Sequence, residues 1–292
     1  MILNSKKFTF FGSSEFSVYV LEELLLHDIK PDLIITMPDK PKGRKLVLTA
    51  NIVKIWAQNH DIEVLDPASL KNNPELVSKL QTLSSKLFLV ASYGKIIPKE
   101  IFDIPDRKTL NIHPSLLPKY RGASPIQSQI LNDEKEIGVS IMQVEETMDT
   151  GPIIIQKLLP SPAFRRGTGG EVLGRKELEK ILAIEGARLF AHILPEWLSG
   201  SIDAIMQNEK EVTYCTKINK EDGLLDLNEN AKSNLLKIKA FEGWPTTYFF
   251  ENAKRIIVTD ATIEENELKI LRVIPEGKKE MSYLDFLRGR KS

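Results

Sequence analysis

A chain of 292 residues, 42% of them hydrophobic and 27% charged, has the make-up of an ordinary globular protein, long enough for about two domains of roughly 150 residues. Its 40 basic residues balance 40 acidic ones, which excludes coating nucleic acid through net charge but leaves room for a local basic loop. A single cysteine, Cys215, excludes an intrachain disulfide and a zinc site built on several thiolates. The expectation is a cytoplasmic protein that holds no metal. No apolar run approaches the roughly 20 residues that span a bilayer, and the first residues (MILNSKKFTFFG) lack a secretory pattern.

The first half alternates short β-rich runs with amphipathic stretches. Residues 7–11 (KFTFF) predict a strand ended by Gly12, and residues 15–26 predict a helix with Ser13 or Ser14 at its N-cap. Strands are expected at 32–36, 62–65, 86–91, 109–112 and 139–144, and helices at 51–59, 74–83 and 125–131. This alternation predicts an α/β, Rossmann-like domain with a mostly parallel sheet covered on both faces. Residues 177–198 predict a long helix. After Gly200 short strands separated by turn residues predict a smaller β-rich domain, giving a division into residues 1–200 and 205–292.

In sheets of this kind ligands bind at the carboxyl ends of strands, so the polar loops after residues 112 and 144 carry most information. The first reads Asn111-Ile-His113-Pro-Ser115-Leu-Leu-Pro-Lys-Tyr-Arg121-Gly122 and the second Met148-Asp149-Thr150-Gly151-Pro152. Side chains two apart on a strand share a face, so Asn111 and His113 point the same way. An amide, an imidazole and a carboxylate meeting at the sheet's carboxyl edge suit acyl transfer to an amine. The amide stabilises a developing oxyanion, the imidazole moves a proton near working pH, and the carboxylate orients the ring. The same residues in isolation also suit a turn pair and a turn aspartate.

The run LNIHPSLLPKYRGASPIQ, with MDTGPI some 30 residues later, resembles the formyltetrahydrofolate-dependent formyltransferase family. The resemblance implies a catalytic trio of Asn111, His113 and Asp149 and 10-formyltetrahydrofolate as co-substrate. It extends to FGSSEFS (11–17), where Ser14 replaces a usual Pro, and to VASYGKIIPKEI (90–101), where Ser92 replaces a usual Ala. It implies folate contacts from Ala91, Ser92, Tyr93 and Gly94, from Ser115, Leu116, Leu117 and Pro118, and from Glu145, Glu146, Thr147 and Met148, the last four closing over the pterin.

PDKPKGRKLVLT (38–49) is similar to the basic loop of family members that act on charged initiator tRNA, with Lys45 standing where a Gly is usual. TKINKEDGLLDL (216–227), LLKIKAFEGWPTTY (235–248) and VIPEGKKEMSYLDFLRG (273–289) resemble the appended open β-barrel of the same members, a relative of the OB-fold. Initiator Met-tRNA is therefore the expected partner of a monomer with no membrane attachment. The candidate phosphate contacts are Lys40, Lys42, Arg44, Lys45, Lys237, Lys239, Lys254 and Arg255. Trp244 suits either base stacking or the core of the small domain. Residues 161–175 match no family pattern.

Two alternatives share these residues: a folate-dependent formyltransferase acting on an amino sugar nucleotide, and a non-catalytic RNA-binding protein of the same fold. The chain has no GxGxxG after its first strand and no GxxxxGK[ST], which removes dinucleotide and P-loop chemistry. His27, His60 and His192 show no ligand spacing.

Overall fold

The computed structural model describes residues 7–42, 47–160, 165–166 and 171–289; the candidates Arg44 and Lys45, and residues 161–164 and 167–170, lie outside the described residues. In chain order the elements begin with β1 (Phe8–Gly12), α1 (Glu15–Leu26), β2 (Leu33–Ile35), β3 (Lys40–Lys42), β4 (Val47–Thr49) and α2 (Ile52–Asn59). Next come β5 (Glu63–Leu65), α3 (Pro74–Leu83), β6 (Leu87–Ala91), α4 (Lys99–Phe102), β7 (Thr109–His113), β8 (Arg121–Gly122) and α5 (Pro125–Leu131). They continue with β9 (Gly138–Gln143), β10 (Ile153–Leu158), β11 (Arg165–Arg166), β12 (Glu171–Val172), α6 (Arg175–Ser199) and β13 (Tyr214–Cys215). The last are α7 (Ala231–Ala240), β14 (Thr247–Glu251), β15 (Lys254–Glu264), β16 (Glu267–Pro275), β17 (Met281–Ser282) and α8 (Tyr283–Arg288).

The chain forms two compact units that interleave in sequence. The first holds Met1–Arg121, Gly138–Leu158 and Lys180–Thr213; the second holds Gly122–Ile137, Leu159–Glu179 and Tyr214–Ser292.

The first unit is built on a seven-stranded sheet in the order β10-β9-β7-β6-β1-β2-β5. The five strands from β7 to β5 run parallel, as their continuous apolar runs predict; every residue of β1 is buried. One face packs Phe11, Leu33, Ile35 and Phe88 against Leu76 and Leu80 of α3 and Ile101 and Phe102 of α4. On the other face Phe8 meets Phe190 of α6, with ring centroids 6.2 Å apart. The strand order reverses between β1 and β6, which is where an α/β sheet opens a ligand crevice.

β9 runs antiparallel to β7, pairing Leu110 with Gln143 and His113 with Ser140. A parallel arrangement needs a crossover helix lying on the sheet. The helix between these strands, α5, belongs to the second unit instead. The loop after β9 therefore leaves from the far end of the strand pair, not from the edge where β7 ends.

The second unit carries a four-stranded antiparallel sheet, β14-β15-β16-β17, in sequence order. Its core is Leu225, Ile238, Phe249, Ile256, Val258, Ala261 and Val273, with α7 laid on the sheet. Asn230 caps α7 by accepting from the Lys232 and Ser233 amides, and Lys232 pairs with Asp133 just beyond α5. Among the described residues no helix is long and apolar enough to cross a membrane.

Candidate active site

Alternation along β7 sorts its residues. Leu110 and Ile112 are buried, and Gly186 of α6 comes so close to Ile112 that an added Cβ would lie 2.4 Å from its Cγ2. Asn111 and His113 fall on the opposite face. His113 is 3% exposed and its Nε2 lies 3.1 Å from the Tyr120 carbonyl oxygen. A carbonyl only accepts, so Nε2 carries a proton. The ring nitrogen left for proton exchange is Nδ1, and it lies 3.6 Å from Asp149 Oδ1. That is longer than a formed hydrogen bond and within reach of one once substrate tightens the site.

The Asp149 loop has to double back to make this pair, because β9 points away from the end of β7. Four features hold the return. Asp149 itself takes the left-handed backbone conformation, φ 58°. Thr150 Oγ1 donates to the Thr147 carbonyl at 3.0 Å, and the Gln143 amide donates to the Pro152 carbonyl at 2.9 Å. Gly151 passes so near the Gln143 carbonyl that a Cβ would sit 2.0 Å from its oxygen. His113, the last residue of β7, and Asp149 thus meet at the carboxyl end of β7, the carboxylate reaching it by this return although β9 runs antiparallel.

Other residues that the sequence did not single out complete this site. Arg121 is 1% exposed and its guanidinium meets Gln207 Oε1 at 3.0 and 2.8 Å and Glu209 at 2.7 and 3.3 Å. The two-pronged pairing with Arg121 holds the Glu209 carboxyl below the usual carboxylate range. Gln207 Nε2 donates in turn to the Asp149 carbonyl at 2.9 Å and the Gly151 carbonyl at 2.7 Å. Arg121 stood inside the quoted motif without a role; Gln207 gave no signal in sequence.

The expected folate residues fall into three groups. Ala91 ends β6 and Ser92, Tyr93 and Gly94 follow it at the point of strand-order reversal, with Ser92 and Gly94 in left-handed conformations. The carbonyls of Ala91, Ser92 and Tyr93 already accept from Ser17 Oγ (2.6 Å), the Ser13 amide (3.1 Å) and Ser13 Oγ (2.7 Å). The Tyr93 ring lies in the core and burial pushes its hydroxyl up to about 12. Of the second group, Ser115, Leu117 and Pro118 are buried. Ser115 Oγ donates to the Lys119 carbonyl (2.6 Å), and the Leu117 amide donates to Ser140 Oγ (3.0 Å). Leu116 is half-buried. In the third group Glu145, Glu146, Thr147 and Met148 are exposed, and Glu146 pairs with Lys99 at 3.0 Å.

The basic candidates divide too. Residues 38–49, expected as a loop, include an antiparallel hairpin that pairs Lys40 with Thr49 and Lys42 with Val47. Its base is held by Lys54, whose Nζ meets Asp39 at 3.1 Å and Asp66 at 2.8 Å. In the second unit Lys254 is exposed. Lys237 donates to the Leu224 carbonyl at 2.9 Å, Lys239 lies 3.6 Å from Asp260, and the Arg255 guanidinium stacks 3.9 Å from the Tyr248 ring centre. Trp244 is 48% exposed.

Comparison with known proteins bears on this arrangement directly. Residues 6–166 match the formyl transferase family model, and residues 217–269 match that of the formyl transferase C-terminal domain. A methionyl-tRNA formyltransferase of Dictyoglomus turgidum is 36% identical over 96% of this chain and 95% of its own. One of Thermodesulfovibrio yellowstonii is 34% identical over 97% and 95%. Among solved structures, a 4-N formyltransferase from Francisella tularensis superposes with a TM-score of 0.64 at 19% identity, covering 89% of this chain and 99% of that one. Methionyl-tRNA formyltransferase from Clostridium thermocellum gives 0.59 at 16%, covering 94% and 99%. With both family models matched in order and near-full-length relatives well above 30% identity, this chain belongs to the formyl transferase family, in the group of methionyl-tRNA formyltransferases.

Proposed function

We propose that this protein transfers the formyl group of 10-formyltetrahydrofolate to the α-amine of methionyl initiator tRNA, supplying the formylated starter for protein synthesis. The observation that carries the reading is the near-full-length similarity to methionyl-tRNA formyltransferases. It joins a chain in which His113 at the end of β7 and Asp149 on a later loop converge. The division of labour is one of function, residues 1–200 for chemistry and 205–292 for RNA, and does not coincide with the interleaved compact units.

The folate co-substrate enters as the formyl donor. The buried imidazole, the exposed loop at 145–148 and the strand-order reversal between β1 and β6, where sheets of this kind bind ligands, support that reading. When the amine adds to the formyl carbon, a C–N bond forms and charge grows on the formyl oxygen; the bond from that carbon to the carrier nitrogen then breaks. Asn111 donates its side-chain N–H to that oxygen. His113 takes the proton the amine must lose and returns one to the carrier nitrogen, through Nδ1, since Nε2 is held by the Tyr120 carbonyl. Asp149 faces Nδ1 and orients the ring during the transfer. The Lys40–Lys42 side of the hairpin, with Arg44 and Lys45, meets the acceptor end of the tRNA; Lys254 and Arg255 serve its backbone, and Lys237 and Lys239 join them only by exchanging their contacts with the Leu224 carbonyl and Asp260.

The test is formyl transfer to charged initiator Met-tRNA, with uncharged tRNA and an amino sugar nucleotide in parallel. Transfer to Met-tRNA alone is expected. Transfer to the sugar alone would keep the chemistry and overturn the tRNA assignment.

A further inference from the structure

The buried ring of His113 and the carboxylate of Asp149 are not held by their own loops alone. Two backbone atoms fix their positions: the Tyr120 carbonyl, which receives His113 Nε2, and the Asp149 carbonyl, which sets where that residue's side chain begins. Tyr120 and Asp149 both carry left-handed backbone, φ 62° and 58°. For tyrosine that conformation is disfavoured and persists only where the surroundings over-determine it, while aspartate adopts it more readily.

Both surroundings come from one stretch of chain about 60 to 90 residues later. Thr213 Oγ1 accepts from the Tyr120 amide at 2.8 Å and the Thr213 carbonyl accepts from the Arg121 amide at 2.9 Å. Gln207 donates to the carbonyls of Asp149 and Gly151 and accepts from the buried Arg121 guanidinium. Glu209 takes the other edge of that guanidinium. Residues 207–213 therefore form a strap that touches the His113 side and the Asp149 side of the pair at once, with Arg121 as its cross-brace.

We infer that Gln207 and Thr213 are positioning residues for the formyl transfer proposed above, fixing the separation of His113 and Asp149 through the backbone of Tyr120 and Asp149. The chemistry of Gln207 makes the claim specific. Its amide is the one side-chain group that can accept from Arg121 and donate to two carbonyls together. Gln207→Glu keeps the acceptor for Arg121 and removes the donor.

The experiment compares Gln207→Glu, Gln207→Ala, Thr213→Val and Thr213→Ser with the wild type. A misplacement of about 1 Å in reacting groups costs on the order of 100-fold in rate. A kcat loss of roughly 10- to 100-fold is expected for Gln207→Glu, Gln207→Ala and Thr213→Val, with KM for folate and Met-tRNA within about twofold of wild type. Thr213→Ser, which keeps the hydroxyl, is expected to retain wild-type kcat. Wild-type kcat in Gln207→Glu and Thr213→Val would overturn the inference, since the strap would then only fill space and neutralise Arg121. Should the Gln207 variants fail to fold, the Thr213 pair decides. The inference rests on the proposed reaction, so wild type is assayed first on Met-tRNA and on the amino sugar nucleotide, and the variants on whichever accepts. If wild type transfers to neither, the functional reading fails. The crystal structure of Gln207→Glu then judges the strap: a His113–Asp149 separation lengthened from 3.6 Å supports it, an unchanged one overturns it.

Discussion

At the scale of the residue, the trio is proposed from motifs that resemble a family, and each member is a chemical type suited to the task proposed for it. Asn111→Ala removes the oxyanion donor and is expected to lower kcat on the order of 100- to 1000-fold while leaving folding intact; near-normal turnover in a single-turnover assay would take that role from Asn111. Asp149→Asn preserves shape and removes the charge that faces Nδ1, so kcat should fall with little change in either KM. What could not be read is why these groups stand still. Arg121 reaches Gln207 and Glu209 across 86 and 88 residues of chain. A glutamine in a polar stretch looks the same in sequence whether it holds two carbonyls or points to water. The same holds for the lysines: Lys237 and Lys239 share a type with Lys254, and only the fold shows that they are turned to a carbonyl and a carboxylate.

At the scale of the element, periodicity predicted helices over 15–26, 74–83 and 125–131 with the bounds the structure has, and the strands of the parallel sheet within about two residues at each end. It did not predict β10, α7, α8 or the hairpin of β3 and β4, which are short or have mixed faces. Nor could it give the direction of β9, since an apolar run reads alike in either sense. Gly186 shows what packing adds to a helix. Alanine there gains about 1 kcal/mol in helix propensity but drives its Cβ toward Ile112, an overpacking that costs about 1–3 kcal/mol. Gly186→Ala is expected to lower the thermal midpoint and, because Ile112 lies between Asn111 and His113, kcat as well. A raised midpoint in calorimetry would mean that Ile112 yields freely.

The hairpin makes a second prediction at this scale. The Asn51 amide and then Lys54 hold the Asp39 carboxyl below its ordinary value of 3.8. A depressed acid stabilises the folded form above the unfolded value and loses that contribution as pH falls through the folded one. The Asn51 amide resonance should thus stay constant at neutral pH and move only below about pH 4. Asp39→Asn should abolish that movement and raise KM for Met-tRNA with the folate KM unchanged. An unaltered Met-tRNA KM would separate the hairpin's base from acceptor binding.

For the whole molecule, zero net charge means that any RNA affinity comes from local groups over short range. KM for Met-tRNA should rise steeply with salt and the folate KM far less. Lys254→Ala, the most exposed of the described second-unit candidates, should reduce the slope of log KM against log salt by about 1. An unchanged slope would remove Lys254 from the interface. The sequence by itself determined the α/β sheet and the β-rich remainder through local periodicity, and its motifs carried the resemblance to the family from which the roles of Asn111, His113 and Asp149 are proposed; both are local and written in order along the chain. The tertiary structure alone decided that β9 is antiparallel, that Asp149 must double back to reach His113, and that a strap at 207–213 holds both. Each depends on which distant segment happens to lie alongside, and a one-dimensional pattern carries no record of its neighbours in space.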